Sequence, residues 1–269
     1  MRDKKLTWEE AVLWLKQQPD QAELVRACFY DDPLLDAAIR YLSSSEWQAV
    51  KKLLPELTGK ALDIGSGRGI SAYALARDGW KTVALEPNSS NLVGAGAIRN
   101  LVADTGLNIQ VVEEWGEKLP FPDGSFDLVH CRQVLHHAND LGLLCKEIGR
   151  VLKPGGVFIA TREHVISSYE DLPQFLSSHP LHYLYGGEYA YLLSEYLTAI
   201  KSGGIKLVKV LNPNSSDINL YPETLTGLKK RISSKMHIPI GFIPQLFLSF
   251  LGVFNKTPGR LYTFLGQKI

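Results

Sequence analysis

The chain has 269 residues, of which 45% are hydrophobic and 21% are charged; this composition excludes a disordered or fibrous chain and fits one large α/β domain with appendages. Its formal net charge is +1, so it lacks the strong positive field that holds nucleic acid, and a nucleic-acid partner gains no support. The three cysteines, Cys28, Cys131 and Cys145, form no CxxC pair, which predicts neither a disulfide framework nor a zinc site.

Residues 1–57 are predicted to form a helical extension. Apolar residues recur at helical spacing in three groups, at 8–15, 34–42 and 47–54, and prolines separate the first two groups. This extension either packs on the core as a simple helical prelude or caps the active site. The sequence does not choose between the two.

From residue 60 the pattern alternates between short apolar strands and helices. Strands are predicted at 61–64, 82–85, 109–112, 126–131 and 157–161, and helices at 71–77, 90–103 and 141–152. Short apolar strands separated by helices predict a parallel sheet that is covered on both faces. Ligands of such sheets bind beyond the carboxyl ends of the strands, where the strand order reverses.

The part of the chain after residue 162 is less regular. We predict a helix at 188–201, a strand at 205–211 and a last strand at 260–265, with a mostly helical insertion at 213–258 between the two strands. Residues 238–254 of this insertion contain no charged side chain. They form either a helix packed on the core, which is the simpler interpretation, or a contact with a membrane surface or an acyl chain.

A glycine-rich loop follows the first predicted strand, in the sequence ALDIGSGRG at 61–69. Glycine adopts positive φ and lets the backbone approach a ligand closely, so this loop predicts a nucleotide-like cofactor. The dinucleotide fingerprint GxGxxG would need a glycine at position 70, which is Ile70. Asp63 would repel a pyrophosphate and attract an ammonium group, which favours a cofactor without phosphate.

Glu86 closes the second predicted strand, 21 residues after Gly65. An acid at this place can accept hydrogen bonds from both hydroxyls of a ribose. The alternative is a solvated acid at the end of a strand, and the glycine loop upstream favours the ribose contact.

Five motifs follow one another in the order of a known family: DIGSGRG at 63–69, ALEP at 84–87, EKLPFPDGSFDLV at 117–129, VLHH at 134–137 and LKPGG at 152–156. Together they resemble the class I S-adenosylmethionine-dependent methyltransferases, and most of all the small-molecule branch that includes the ubiquinone and sterol enzymes. The resemblance covers about residues 60–162. It implies a three-layer Rossmann-like α/β fold with a seven-stranded, mostly parallel sheet and an antiparallel last strand, built from residues 58–212 and 259–269.

The resemblance also implies S-adenosylmethionine as the cofactor and assigns roles to positions that match the family. The implied cofactor-binding residues are Asp63, Gly65, Ser66, Gly67, Gly69, Glu86, Pro87, Glu114, Trp115, Gly116 and Arg132. The glycines would pass under the cofactor, Asp63 would face its amino-acid end, and Glu86 would hold the ribose. Arg132 either pairs with the cofactor carboxylate or forms an intrachain salt bridge.

The adenine position departs from the family pattern. The family usually has Asp-Ala-Glu where this chain has Trp115-Gly116-Glu117, so Trp115 stands in place of the acid that usually contacts the adenine amino group. We expect Glu114, Trp115 and Gly116 to form this part of the site jointly, with the indole stacking on the ring.

Several histidines are candidates for proton transfer, because methylation of a hydroxyl requires a base and imidazole titrates near neutrality. The predicted catalytic residues are His136, His137 and His164, although the adjacent pair is also a frequent structural feature of the family. The segment 179–191, rich in His and Tyr, is either a pocket lid or a packed aromatic loop. No acids and histidines stand at metal-ligand spacing along the chain, so no metal is expected.

The expected function is methyl transfer to a small organic, saccharide or lipid-linked acceptor, with oxygen favoured over nitrogen or carbon. A cofactor-binding pseudoenzyme or assembly protein is the alternative, and a nicotinamide-dependent oxidoreductase is disfavoured by Ile70 and Asp63. The sequence has no signal-peptide pattern and no run of about 18 apolar residues. A cytoplasmic protein is therefore expected, with a possible peripheral membrane contact through 238–254.

Overall fold

The structure is a computed structural model that describes residues 5–269. The strands are β1 Lys60–Ile64, β2 Lys81–Leu85, β3 Ile109–Val112, β4 Phe126–Arg132, β5 Leu152–Ile166, β6 Tyr191–Leu192, β7 Ile205–Leu211 and β8 Arg260–Lys268. The α-helices are α1 Trp8–Lys16, α2 Ala22–Ala27, α3 Leu34–Ser43, α4 Ser45–Lys51, α5 Ile70–Arg77, α6 Ala95–Thr105, α7 Leu141–Val151, α8 Leu172–Ser178, α9 His182–Tyr185, α10 Leu193–Ser202, α11 Asp217–Leu220, α12 Leu225–Met236 and α13 Gln245–Val253.

The strands form one sheet in the order β3-β2-β1-β4-β5-β8-β7. The first five strands of this order are parallel, and β8 runs antiparallel between β5 and β7. This confirms the predicted seven-stranded sheet with an antiparallel last strand. The additional strand β6 pairs with the end of β5, and its two residues are too few to give a periodic signal in the sequence.

Side chains along each strand alternate between the two faces of the sheet, and helices pack on both faces. On β1, Leu62 packs in a buried cluster with Leu144 and Ile148 of α7. Its neighbour Ala61 lies in a second buried cluster, with Trp47 of α4 and other side chains of α3 and α5. The result is a three-layer arrangement in which the strands are buried on both sides.

Some helix boundaries differ from the sequence prediction for local reasons. The described part of the extension, residues 5–57, has four α-helices rather than three, because α2 is too short to show a period. Helix α6 begins at Ala95 and not at residue 90, because Asn88 and Ser90 accept backbone hydrogen bonds that hold a turn there. Helix α10 begins at Leu193, where the Glu195 carboxylate accepts from the Leu192 amide at 2.8 Å. The predicted start at residue 188 is therefore wrong.

The insertion before the last strand contains α11, α12 and α13. Helix α13 packs on the rest of the chain through Leu248 and Gly252, which are buried and one turn apart. A Cβ at Gly252 would lie 2.2 Å from Asn212 Oδ1, so this glycine permits the close approach. Among residues 5–269, none of the helices is long and apolar enough to cross a membrane.

Candidate cofactor and acceptor site

A cavity of about 480 Å³ lies at the carboxyl ends of the central strands, where the order reverses between β1 and β4. Its size is typical of a small-molecule site. The loops after β1, β2 and β4 line it on the sheet side, and Trp8, Leu15, Leu24, Phe29 and Tyr30 of the N-terminal extension also line it. The extension thus forms part of the cavity wall as well as packing on the core.

The glycine loop lies in this wall with Gly65 and Gly67 at positive φ, +62° and +52°. A Cβ on Gly65 would lie 2.6 Å from Val134 Cγ2, so this glycine lets the loop after β4 approach. A Cβ on Gly67 would meet no atom within 4 Å, so the space above this residue is open. Gly69 does not line the cavity, because it faces Ile98 of α6, 3.2 Å from its would-be Cβ.

Glu86 is buried in the same wall, beside Pro87. Its Oε2 accepts a hydrogen bond from the Gly67 amide at 2.8 Å, and its Oε1 accepts one from the Asn88 amide at 3.0 Å. Burial raises the pKa of this carboxyl above its ordinary value, and the two amides oppose that shift. Since a carboxylate has about four lone-pair sites, two stay available for other donors.

Asp63 lies beneath the glycine loop and does not line the cavity directly. Its Oδ1 is 2.7 Å from the Nδ1 atom of the buried His130. Its Oδ2 is buried and has no hydrogen-bond partner among residues 5–269. An unpartnered buried carboxylate oxygen is costly, so this atom is suited to a donor that the cavity supplies.

The residues expected at the adenine position separate into two groups. Trp115 and Gly116 line the cavity, and the Trp115 side chain is 60% exposed. Glu114 does not line it, because its Oε1 accepts from the Trp115 amide at 2.9 Å. Glu114 is therefore not positioned to contact an adenine ring in the cavity.

Arg132 forms the intrachain salt bridge that was one of its two expected roles. Its Nε and Nη2 donate to Glu46 Oε1 and Oε2 at 2.6 and 3.0 Å, and Arg162 Nη1 lies 3.8 Å from the same carboxylate. Burial alone would raise the pKa of Glu46, but the two guanidinium groups hold it below its ordinary value. Because one carboxylate faces two guanidinium groups, this cluster carries a net positive charge beside the cavity.

Arg68 is a cavity residue that the sequence analysis missed. Its buried guanidinium donates through Nη1 to the carbonyl oxygens of Phe29 and Asp31, both at 3.0 Å, and through Nη2 to Asp32 Oδ1 at 2.5 Å. It therefore joins the glycine loop to the segment between α2 and α3. No sequence pattern distinguishes this arginine from a solvated loop residue.

The three predicted catalytic histidines lie together in the cavity wall, with His179 and Glu188. His136 Nδ1 is 2.6 Å from Glu163 Oε2, and His164 Nδ1 is 2.7 Å from the Gly259 carbonyl oxygen. Burial lowers the pKa of His136 well below its ordinary value and that of His164 to about 3. Both imidazoles are therefore neutral at physiological pH.

Glu188 brings a carboxylate into the centre of these histidines. Burial would raise its pKa, but the neighbouring histidines, His137 foremost, outweigh burial and hold it below the ordinary value. Its Oε1 accepts from the Tyr185 hydroxyl. The expectation of no metal ligands rested on spacing along the chain, and the fold brings His136, His164 and Glu188 together from separate segments.

Comparison with known proteins places this architecture in a family. A family model described as a methyltransferase domain matches residues 62–160. The ubiquinone biosynthesis O-methyltransferase of Sodalis glossinidius is 36% identical over 39% of this chain and 42% of its own length. The dimethylglycine N-methyltransferase of Parasynechococcus marenigrum is 32% identical over 47% of this chain and 46% of its own.

The fold is also similar to that of solved structures. The crystal structure of the YcgJ protein from Bacillus subtilis superposes with a TM-score of 0.55 at 20% identity, over 83% of this chain and 97% of that one. The chain spans less than half the length of the two curated relatives above. Residues 62–160 therefore form a domain of the class I S-adenosylmethionine-dependent methyltransferases.

Proposed function

We propose that this chain methylates an oxygen atom of a small organic or saccharide acceptor. The observation that carries the proposal is that one cavity is lined both by the glycine loop with Glu86 and by the histidines His136, His137 and His164. A donor site and a group of proton acceptors thus share one enclosed space. The similar proteins include both an O-methyltransferase and an N-methyltransferase, so the choice of oxygen depends on the histidines.

The residues present fit S-adenosylmethionine, which supplies a methyl group on a positively charged sulfur. The open space above Gly67 accommodates a ligand against the backbone, with Gly65 and Ser66 beside it. The two free acceptor sites of Glu86 suit ribose hydroxyls. The unpartnered Oδ2 of Asp63 suits an ammonium group, directly or through water.

Two further contacts belong to the same proposal. The exposed indole of Trp115 stacks on the adenine ring beside Gly116. The net positive charge of the cluster formed by Arg132, Arg162 and Glu46 attracts the cofactor carboxylate. Arg132 then acts mainly through its charge, because its Nε and Nη2 already bind Glu46.

His137 is the residue best suited to take the proton of an acceptor hydroxyl. Its side chain is 39% exposed, whereas those of His136 and His164 are more deeply buried and have lowered pKa values. Its Nδ1 lies 3.1 Å from the Gly187 carbonyl oxygen and donates to it in one tautomer. In that tautomer Nε2 carries the lone pair that a base needs.

The test is calorimetry with S-adenosylhomocysteine, followed by a methyl-transfer assay with matched hydroxyl and amine acceptors. We expect binding, methylation of a hydroxyl acceptor, and a loss of about 10²-fold or more in kcat for His137→Gln, with His237→Gln as the exposed control. Methylation of amines alone would refute the choice of oxygen. Binding without turnover of any acceptor would favour the pseudoenzyme alternative.

We also propose that the insertion contacts an anionic membrane surface, where a lipid-linked acceptor would be presented. The outward side of α13 and the turn before it exposes Phe242, Leu246, Phe250, Val253 and Phe254, with Leu246 82% exposed. Isolated apolar side chains are common on protein surfaces, but a contiguous apolar group of this kind indicates an interaction site.

The charges of the neighbouring helix α12 also suit contact with an anionic membrane surface. Helix α12 carries Lys229, Lys230, Arg231 and Lys235 and has no acidic residue. It contacts the turn at Ile240–Phe242 that leads into α13. Basic side chains next to exposed aromatic and aliphatic ones are typical of binding to anionic lipid surfaces.

Co-sedimentation with vesicles tests this contact. We expect binding to vesicles that contain an anionic lipid, weaker binding to neutral vesicles, and loss of binding in the double variant Leu246→Ser and Phe250→Ser. The control is Leu57→Ser, which removes an equally exposed leucine elsewhere. A wild-type protein that never co-sediments would refute the contact.

A further inference from the structure

The cluster around Glu188 holds a carboxylate oxygen without a partner. Oε2 of Glu188 is buried and makes no hydrogen bond with residues 5–269. It lies 3.7 Å from His136 Nε2 and 3.9 Å from His137 Nε2. Both distances are too long for hydrogen bonds, so the oxygen faces imidazole nitrogens across a gap.

The gap has the dimensions of a metal site. One ligand atom from each of His136, His164 and Glu188 lies within 4.8 Å of the others. For bonds of the length that Zn²⁺ makes to nitrogen and oxygen, two ligand atoms of a tetrahedral site are about 3.4 Å apart. The 3.7 Å between His136 Nε2 and Glu188 Oε2 is close to this value.

Both histidines are oriented as metal ligands usually are. A ligating histidine donates its other ring N–H to a carboxylate or a backbone carbonyl, which fixes the tautomer and directs the free nitrogen at the ion. His136 has Glu163 in this role, and His164 has the carbonyl oxygen of Gly259. The tautomers that satisfy these two acceptors leave both Nε2 atoms with a lone pair.

We propose that His136, His164 and Glu188 bind a divalent transition-metal ion of the Zn²⁺ class in the cavity wall. Two imidazoles and a carboxylate leave a fourth coordination position open, as in catalytic zinc sites. The position faces the cavity that all three residues line. His179, whose Nε2 is 3.7 Å from Glu188 Oε1, borders the site on its other side.

The role of the ion in methyl transfer rests on the proposed function: the ion would act on the hydroxyl group of the acceptor. A bound ion would supply Lewis-acid chemistry that lowers the pKa of the acceptor hydroxyl. The O–H bond would break with its electron pair left on the acceptor oxygen, and Nε2 of His137 would take the proton.

Titration of the chelator-treated protein with Co²⁺ tests the site, because the visible spectrum of this ion reports its coordination. We expect the wild type to bind one ion with a tetrahedral or five-coordinate spectrum, and Zn²⁺ to displace it. Glu188→Gln, which keeps the shape of the side chain, and His164→Gln should each weaken binding by roughly 100-fold or more. His237→Gln, an exposed histidine outside the cavity, should have no effect.

Calorimetry with S-adenosylhomocysteine in the presence of chelator separates the two proposals. If the wild type binds this ligand but not Co²⁺, the metal site is refuted and the proposed function stands. If it binds Co²⁺ but not the ligand, the proposed function fails while the metal site stands. Equal Co²⁺ affinity in the wild type and in folded Glu188→Gln would place the ion elsewhere and overturn the inference.

Discussion

Replacing Glu86 tests the assignment of the ribose contact directly. Each oxygen of Glu86 already accepts one backbone amide, at 2.8 and 3.0 Å, and two lone-pair sites are available for ribose hydroxyls. A hydrogen bond to a charged group contributes about 1.5–3 kcal/mol. Two such bonds at the lower end give about 3 kcal/mol, so Glu86→Ala should raise the Kd for S-adenosylhomocysteine ~150-fold. Glu86→Gln keeps one acceptor oxygen and should cost about 10-fold.

Isothermal calorimetry at several pH values is the assay, with exposed Glu56→Gln as the control. Burial raises the pKa of Glu86, and the ionised form is the better acceptor. Wild-type affinity should therefore fall as pH falls through this raised pKa, starting above the ordinary value of 4.5, and Glu86→Ala should lack this dependence. A folded Glu86→Ala protein whose Kd stays within about threefold of wild type would refute the ribose assignment.

Three further substitutions test other parts of the site. Trp115→Ala should weaken S-adenosylhomocysteine binding by about 1–2 kcal/mol and Trp115→Phe by less; unchanged affinity in calorimetry would argue against stacking. Glu46→Gln leaves the buried Arg132 without its carboxylate and should cost about 3 kcal/mol of unfolding free energy at neutral pH. Because the pKa of Glu46 is lowered in the folded state, the higher stability of the wild type is present above about pH 4.5 and is lost as the pH falls through the folded pKa. The urea unfolding curves of the two proteins should therefore converge in acid. Gly65→Ala should lower the melting temperature more than Gly106→Ala, because both glycines have positive φ but only the first would place a Cβ against another side chain, 2.6 Å away; equal shifts would exclude the clash.

Much of the sheet could be predicted because its strands are apolar, short and separated by helices. Strand β3 was predicted with its bounds at Ile109 and Val112, and β7 with its bounds at Ile205 and Leu211. Strand β5 was predicted too short: only its centre is continuously apolar, while its ends carry Lys153 and Arg162. Pairing with β4 and β8 extends it in both directions, and no local pattern contains that information.

The cavity wall next to β1 and β2 could also be anticipated, because its residues follow strand ends. Gly65, Gly67 and Glu86 lie within a few residues of β1 and β2, and the carboxyl ends of parallel strands meet at one edge. Gly69 and Glu114 lie just as close in sequence but do not line the cavity. The backbone of Gly69 packs against Ile98, and Glu114 Oε1 accepts from the Trp115 amide; such contacts cannot be inferred from spacing.

The sequence by itself determined the family, the parallel sheet and the place of the glycine loop, because these depend on local periodicity and on motifs within single segments. The tertiary structure decided which other residues line the cavity. Arg68 forms an ion pair with Asp32 of the N-terminal extension. Glu188 faces His136 and His164 from a loop that was predicted to be helical. These groups come from distant segments, and their burial decides their protonation and pairing. Only the folded chain therefore shows that the histidines surround a carboxylate.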